Sequence, residues 1–191
     1  LSSLLLKFFS ALAVVHEAGI AHRSITGDTV LLTAKSQDKS TALQRCDASL
    51  LVVKLRSFYF SSPLGDSSPD RLDSASLFGV DKSSTLSLAA LSIAEDLFSL
   101  GYVFLGLLLG ALAEIKETDL SSPKIRAGVS AQDLERQVQD VFAGDLSEFR
   151  MYVAAEPKWS RVVGFLDEDD SSGWDFLSTL LKAREAVKKS D

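Results

Sequence analysis

The chain reads as a mainly α-helical domain carrying one short β-hairpin, and three observations predict it. Leu4, Leu5, Phe8, Phe9, Leu12 and Val15 recur at helical spacing near the start. Val30-Leu31-Leu32 and Leu50-Leu51-Val52-Val53-Lys54-Leu55 are short β-rich runs with a polar stretch between them. The uncharged run from Leu97 to Ala113, preceded by Glu95 and Asp96 and followed by Glu114 and Lys116, suits a helix buried on all sides.

Taken in order, residues 2–18 form an amphipathic helix that Gly19 stops, followed by a turn with Ala21-His22-Arg23-Ser24. The two β-rich runs pair as a hairpin whose long polar tip spans Lys35 to Ser49. Residues 61–90, rich in Ser, Asp and Pro with scattered apolar anchors, predict irregular backbone with at most short helices. Helices follow at about 92–113, 131–142, 145–155 and 174–188, with Ser130, Asp145 and Gly173 near their starts. The acidic run Asp167-Glu168-Asp169-Asp170-Ser171-Ser172-Gly173 predicts a solvated loop beside a helix N-terminus. It lacks the EF-hand pattern, since Ser172 and Ser178 stand where that loop needs glycine and glutamate.

Composition narrows the function. With 191 residues, 46% apolar and 24% charged, the chain is sized for one domain with one large core. A formal charge of −6 argues against nucleic acid or an anionic membrane surface as partner and favours basic protein surfaces. Cys46 alone makes no internal disulfide, and with His16 and His22 it completes no structural zinc set. No cofactor is expected. The chain begins at Leu1 without a methionine, so it reads as a piece of something longer, and any transit peptide or further lobe upstream is invisible here. Leu97 to Ala113, with a GxxxG step at Gly106 and Gly110, falls slightly short of a membrane span but keeps a membrane-associated subunit as an alternative.

The helix, the turn His22-Arg23-Ser24-Ile25-Thr26-Gly27-Asp28-Thr29 and the strand ending in Ser57-Phe58-Tyr59 resemble, in order and spacing, the core of the protein kinases' C-terminal lobe. In that family H-R-D-L-x-x-x-x-N supplies a catalytic aspartate and a magnesium-binding asparagine, and D-F-G supplies a second metal ligand. Here Ser24, Thr29 and Ser57 stand at those three positions. Asp96-Leu97-Phe98-Ser99-Leu100-Gly101 resembles the D-x-W-S-x-G that opens the family's central helix and ties it to the catalytic loop. Ser68-Pro69-Asp70 resembles A-P-E, and Lys188 falls where the last helix carries that glutamate's arginine, so an Asp70–Lys188 ion pair is expected. The resemblance covers nearly the whole chain as a single large lobe: helix, degenerate loop and hairpin over 1–60, degenerate activation segment over 57–70, helical bundle over 92–191. The small lobe is absent or lies outside the chain.

The tail is similar to that of the chloroplast state-transition kinases, in Phe165-Leu166-Asp167 and Gly173-Trp174-Asp175-Phe176-Leu177. That similarity implies a plastid location at the stromal side of the thylakoid. A hydroxyl is neither a base near neutral pH nor an anionic ligand for a hard divalent cation, so replacement of all three groups implies a pseudokinase. His22, Arg23 and Phe58 then serve as scaffold, Tyr59 stiffens a turn that glycine would loosen, and no G-x-S-x-G elbow makes Ser24 a nucleophile. The expected function is a protein-binding or assembly subunit. A divergent active kinase that recruits Asp28 or Asp47 to hold metal is the alternative enzyme.

Overall fold

The computed structural model describes residues 2–34, 51–113 and 130–188, with Ser2, Ser3, Leu4 and Ala34 described by backbone alone. The polar hairpin tip with Cys46 and Asp47, and Glu114 and Lys116 beyond the apolar run, lie outside the described residues. Those described are mainly helical, with two small two-stranded sheets. The chain divides into two compact units, Leu1–Asp96 and Leu97–Asp191.

In the first unit, helix α1 (Ser2–Glu17) buries Phe8 and Leu12. Gly19, at φ 76, ends it by donating its N–H to His16 O at 2.9 Å, a left-handed closure open to glycine without steric cost. Strand β1 (Ile20–Ala21) follows directly. Strands β2 (Val30–Ala34) and β3 (Leu51–Leu55) form the expected antiparallel hairpin, with Val30 opposite Leu55 and Leu32 opposite Val53. β3 packs on α1, burying Val53, and Lys7 Nζ donates to Leu51 O at 2.6 Å. A single 3₁₀ turn, Phe58–Phe60, leads into β4 (Ser62–Pro63), which pairs antiparallel with β1. This second sheet carried no sequence signal, because two-residue strands have no period to read.

The segment 61–90 is more ordered than its composition predicts. Helix α2 (Pro69–Phe78) begins with proline at its first position after Ser68 and closes on Gly79 at φ 67. Its Ser and Asp residues act as start signals and solvent-facing positions, while Ala75 and the guanidinium stem of Arg71 are buried. Helix α3 (Thr85–Ala111) starts seven residues before the expected 92, because Ser84 caps it: its Oγ accepts from Ser87 N at 3.2 Å and its carbonyl from Leu88 N at 3.0 Å. α3 is 27 residues long and apolar enough to cross a membrane, and 61% of its most apolar stretch is buried. The boundary between the two units falls inside it.

The second unit holds the remaining helices. α4 (Ala131–Arg136) widens into a π turn over Gln137–Val141, and α5 (Leu146–Ala155) is capped by Asp145, whose Oδ1 accepts from Ser147 N at 2.8 Å and Glu148 N at 3.3 Å. Helix α6 (Ser160–Leu181) is two helical arms joined at the acidic run, where Asp169, Asp170 and Ser171 take φ of 50, 61 and 67. The expected loop is there, but the arm before it is helical as well. Gly173 lets the arms meet: a Cβ on it would lie 2.8 Å from Leu166 Cα. Arg150 and the Trp174 ring N–H both reach Asp167 Oδ1 at 2.8 Å, which closes the same corner from outside. After Lys182 the chain continues as α7 (Ala183–Lys188), so the expected helix 174–188 is interrupted. Phe142, Phe149 and Tyr152 meet pairwise, tilted or edge-on, at 5.5–6.3 Å, and Trp159, itself buried, joins them through Tyr152 at 6.1 Å.

Candidate functional site

The turn after β1 is held by one buried carboxylate. Asp96, 1% exposed, accepts from His22 N and Arg23 N at 2.7 Å each, one bond to each oxygen, and from His16 Nε2 at 2.9 Å. A carboxylate taken out of water is costly unless its lone pairs find donors, and here three donors occupy three of its four acceptor positions. Arg23 sits at φ 63, a left-handed angle that costs a non-glycine residue about 1 kcal/mol and that the paired N–H bonds to Asp96 hold in place.

His22 is fully buried and bridges the two arms of the site. Its Nε2 donates to Arg56 O at 3.0 Å and its Nδ1 accepts from Ser24 N at 3.3 Å, which fixes the tautomer with hydrogen on Nε2. Its ring lies 4.7 Å from the Phe58 ring. Thr29 closes the loop on itself: Oγ1 accepts from Thr26 N at 2.8 Å and donates toward Ser24 O and Thr26 O at 2.9 and 3.1 Å. Arg56 N donates to Thr29 O at 2.9 Å, so Ser57 follows immediately on the strand beside Thr29. The three hydroxyl residues therefore belong to one hydrogen-bonded turn and the strand end next to it. The Thr29 hydroxyl is consumed internally.

Ser57 itself adopts φ 67 and ψ 55. The left-handed angle falls on Ser57, and Tyr59, expected to stiffen the turn, stands 90% exposed within the 3₁₀ turn. Phe58 contacts His22 yet remains 42% exposed, so it fills its expected apolar slot in part. Asp28 is exposed and contributes its backbone carbonyl, which accepts from Arg56 Nε at 2.8 Å. Among the described residues no three His, Cys, Asp or Glu side chains gather as a metal site.

No protein-family model, curated protein or solved structure matches the chain. The geometry of its own residues is what bears on function.

The remaining motif residues fall on both units. Asp70 lies in the first turn of α2 and Lys188 in the last turn of α7, in different units. The ion pair that α2 makes within its own unit belongs to the neighbouring Arg71, 4% exposed, whose Nη1 lies 2.5 Å from Glu95 Oε2 while Nη2 donates to Ser92 Oγ at 3.2 Å. Gly101 is needed for close packing, since a Cβ there would sit 2.8 Å from Leu181 Cδ2 and 3.0 Å from Leu180 Cβ. Sequence reasoning missed His16 and Arg71. His16 ends an amphipathic helix six residues before His22, a position that reads as surface, and Arg71 is an arginine inside a serine-rich stretch, where burial has no periodic signature.

Proposed function

We propose that the chain is a protein-kinase-like large lobe that has lost phosphoryl transfer and serves as a protein-binding subunit, placed by its tail in a plastid complex at the thylakoid surface. The observation that carries the reading is Asp96 gripping the backbone of His22 and Arg23, the tie between central helix and loop that the D-x-W-S-x-G resemblance implies. Around that tie the scaffold side chains remain while Ser24, Thr29 and Ser57 replace the acidic and amide groups that would hold metal and take the substrate proton. Transfer chemistry depends on positioning and on neutralising developing charge; a neutral hydroxyl supplies no negative charge to a metal, and that of Thr29 is already engaged within its own turn.

Calorimetric titration of the protein with ATP, with and without magnesium, tests this. No magnesium-dependent heat is expected. Tight magnesium-dependent binding accompanied by phosphotransfer would overturn the reading, and loss of that transfer in Asp28→Asn would assign the activity to a divergent kinase.

A further inference from the structure

Among the described residues, nothing pairs with one edge of the hairpin. In an antiparallel ladder, residues alternately face the neighbouring strand and face away. The bond from Arg56 N to Thr29 O fixes the alternation: Leu31 and Thr33 turn their backbone groups to Lys54 and Val52, and Val30 and Leu32 turn theirs outward. Lys7 on Leu51 O agrees, because Leu51 is an outward-facing residue on the opposite edge and α1 covers it there. On the β2 side no described residue bonds the outward groups of Val30 and Leu32. Leu31 and Leu32 are 37% and 45% exposed, and β2 carries no lysine, proline or bulge of the kind that blunts exposed edges.

The side chains around that edge give its occupant a charge. Pair alternation puts Leu31, Thr33 and Lys54 on one face, and Arg56 continues it past the strand end. Lys54 and Arg56 are exposed and have no ion-pair partner among the described residues, although the chain as a whole carries a formal charge of −6. Backbone donors and acceptors at strand spacing that no described residue bonds fit another extended backbone, and the two cations on the same face, one strand in from that edge, are within reach of long carboxylate side chains on it.

We propose that β2 is a docking edge, and that an extended acidic segment of a partner protein adds to it as a third strand with its carboxylates over Lys54 and Arg56. The inference rests on the docking half of the function proposed above and not on the missing chemistry, so the nucleotide titration and the peptide titration below fail separately.

Amide hydrogen exchange with a probe peptide tests it. The probe is a terminally blocked decapeptide alternating glutamate and valine, compared with a lysine and valine peptide and with an acidic peptide N-methylated at alternate residues. In the free protein the Val30 and Leu32 amides exchange fast while Leu31 and Thr33 are protected. The acidic probe slows Val30 and Leu32, and neither control does. Leu32→Pro removes an outward N–H without breaking a bond to β3 and weakens binding at least about tenfold, and Lys54→Glu weakens it and flattens its salt dependence. The proposal fails if the Val30 and Leu32 amides are already protected in the free protein, or become protected only as protein concentration rises. It also fails if the acidic probe leaves them unprotected, if the N-methylated probe binds equally well, or if a folded Leu32→Pro protein binds undiminished.

Discussion

The Asp96 carboxylate accepts the backbone N–H of His22 at 2.7 Å across 74 residues of sequence, and the neighbouring Arg23 N–H and the His16 ring complete its shell. Truncation would leave two buried N–H groups without acceptors as well as removing the charge. Asp96→Ala is expected to cost about 3 kcal/mol or more. Asp96→Asn keeps one acceptor but turns an amide toward the second N–H, so its cost falls between wild type and alanine. Urea unfolding of the three proteins orders them, and an Asn variant as stable as wild type would contradict the geometry.

Arg71, buried, and Glu95, 20% exposed, form a second, partly buried anchor in the same unit. Arg71→Ala removes a buried side chain and its bonds to Glu95 and Ser92 but leaves a carboxylate that reaches water, so it is expected to lose about 1.5–3 kcal/mol. Arg71→Lys keeps the charge but loses the fork that reaches Glu95 and Ser92 together, and retains part of the stability. Denaturant midpoints give the comparison; equal losses for Lys and Ala would remove the two-pronged contact from the account.

Two glycines in the second unit sit where a methyl group has no room. Gly173→Ala meets the Leu166 backbone, which does not yield as a side chain tip would, and Gly101→Ala meets the leucine side chains of Leu180 and Leu181. Both are destabilising, by about 1–3 kcal/mol, with Gly173→Ala the larger. Thermal melts decide the order.

Tyr102, 1% exposed, has its phenol pushed above the ordinary value by burial, against the opposing effect of a hydrogen bond from Gln139 Nε2 at 3.1 Å. A raised acid in the folded state leaves stability intact below the unfolded value, about 10, and removes it as pH rises from there through the folded value. Tyr102→Phe is expected to lose about 1 kcal/mol at neutral pH and to flatten the alkaline decline. Melting temperature against pH for both proteins reads the difference.

Asp145 behaves oppositely. The Ser147 and Glu148 backbone N–H groups hold its carboxyl below the ordinary value. A depressed acid contributes above the unfolded value, about 4, and the contribution fades as pH falls through the lower folded one. The gap in melting temperature between wild type and Asp145→Ala is therefore full at pH 7 and closes below about pH 4; a gap independent of pH would assign the capping to shape alone.

Elements with strong local patterns were legible in the chain: α1 from its apolar period, the hairpin from its β-rich runs, α5 from its Asp145 cap, the corner in α6 from its acidic run. His22, Arg23, Thr29 and Asp96 were singled out in the sequence only through their resemblance to a family motif; no periodicity marks them. Helix α2 was not, since caps and serines outnumber its apolar positions. Sequence by itself determined which side chains the turn and the strand end carry, hydroxyls at Ser24, Thr29 and Ser57 and a carboxylate at Asp28, because side-chain identity needs no fold to be read. Only the tertiary structure decided that His16 joins Asp96, that Arg71 pairs with Glu95, and that no described residue pairs with the outer edge of β2. Each of those depends on groups far apart in the chain being desolvated together or left apart, and no local periodicity encodes that.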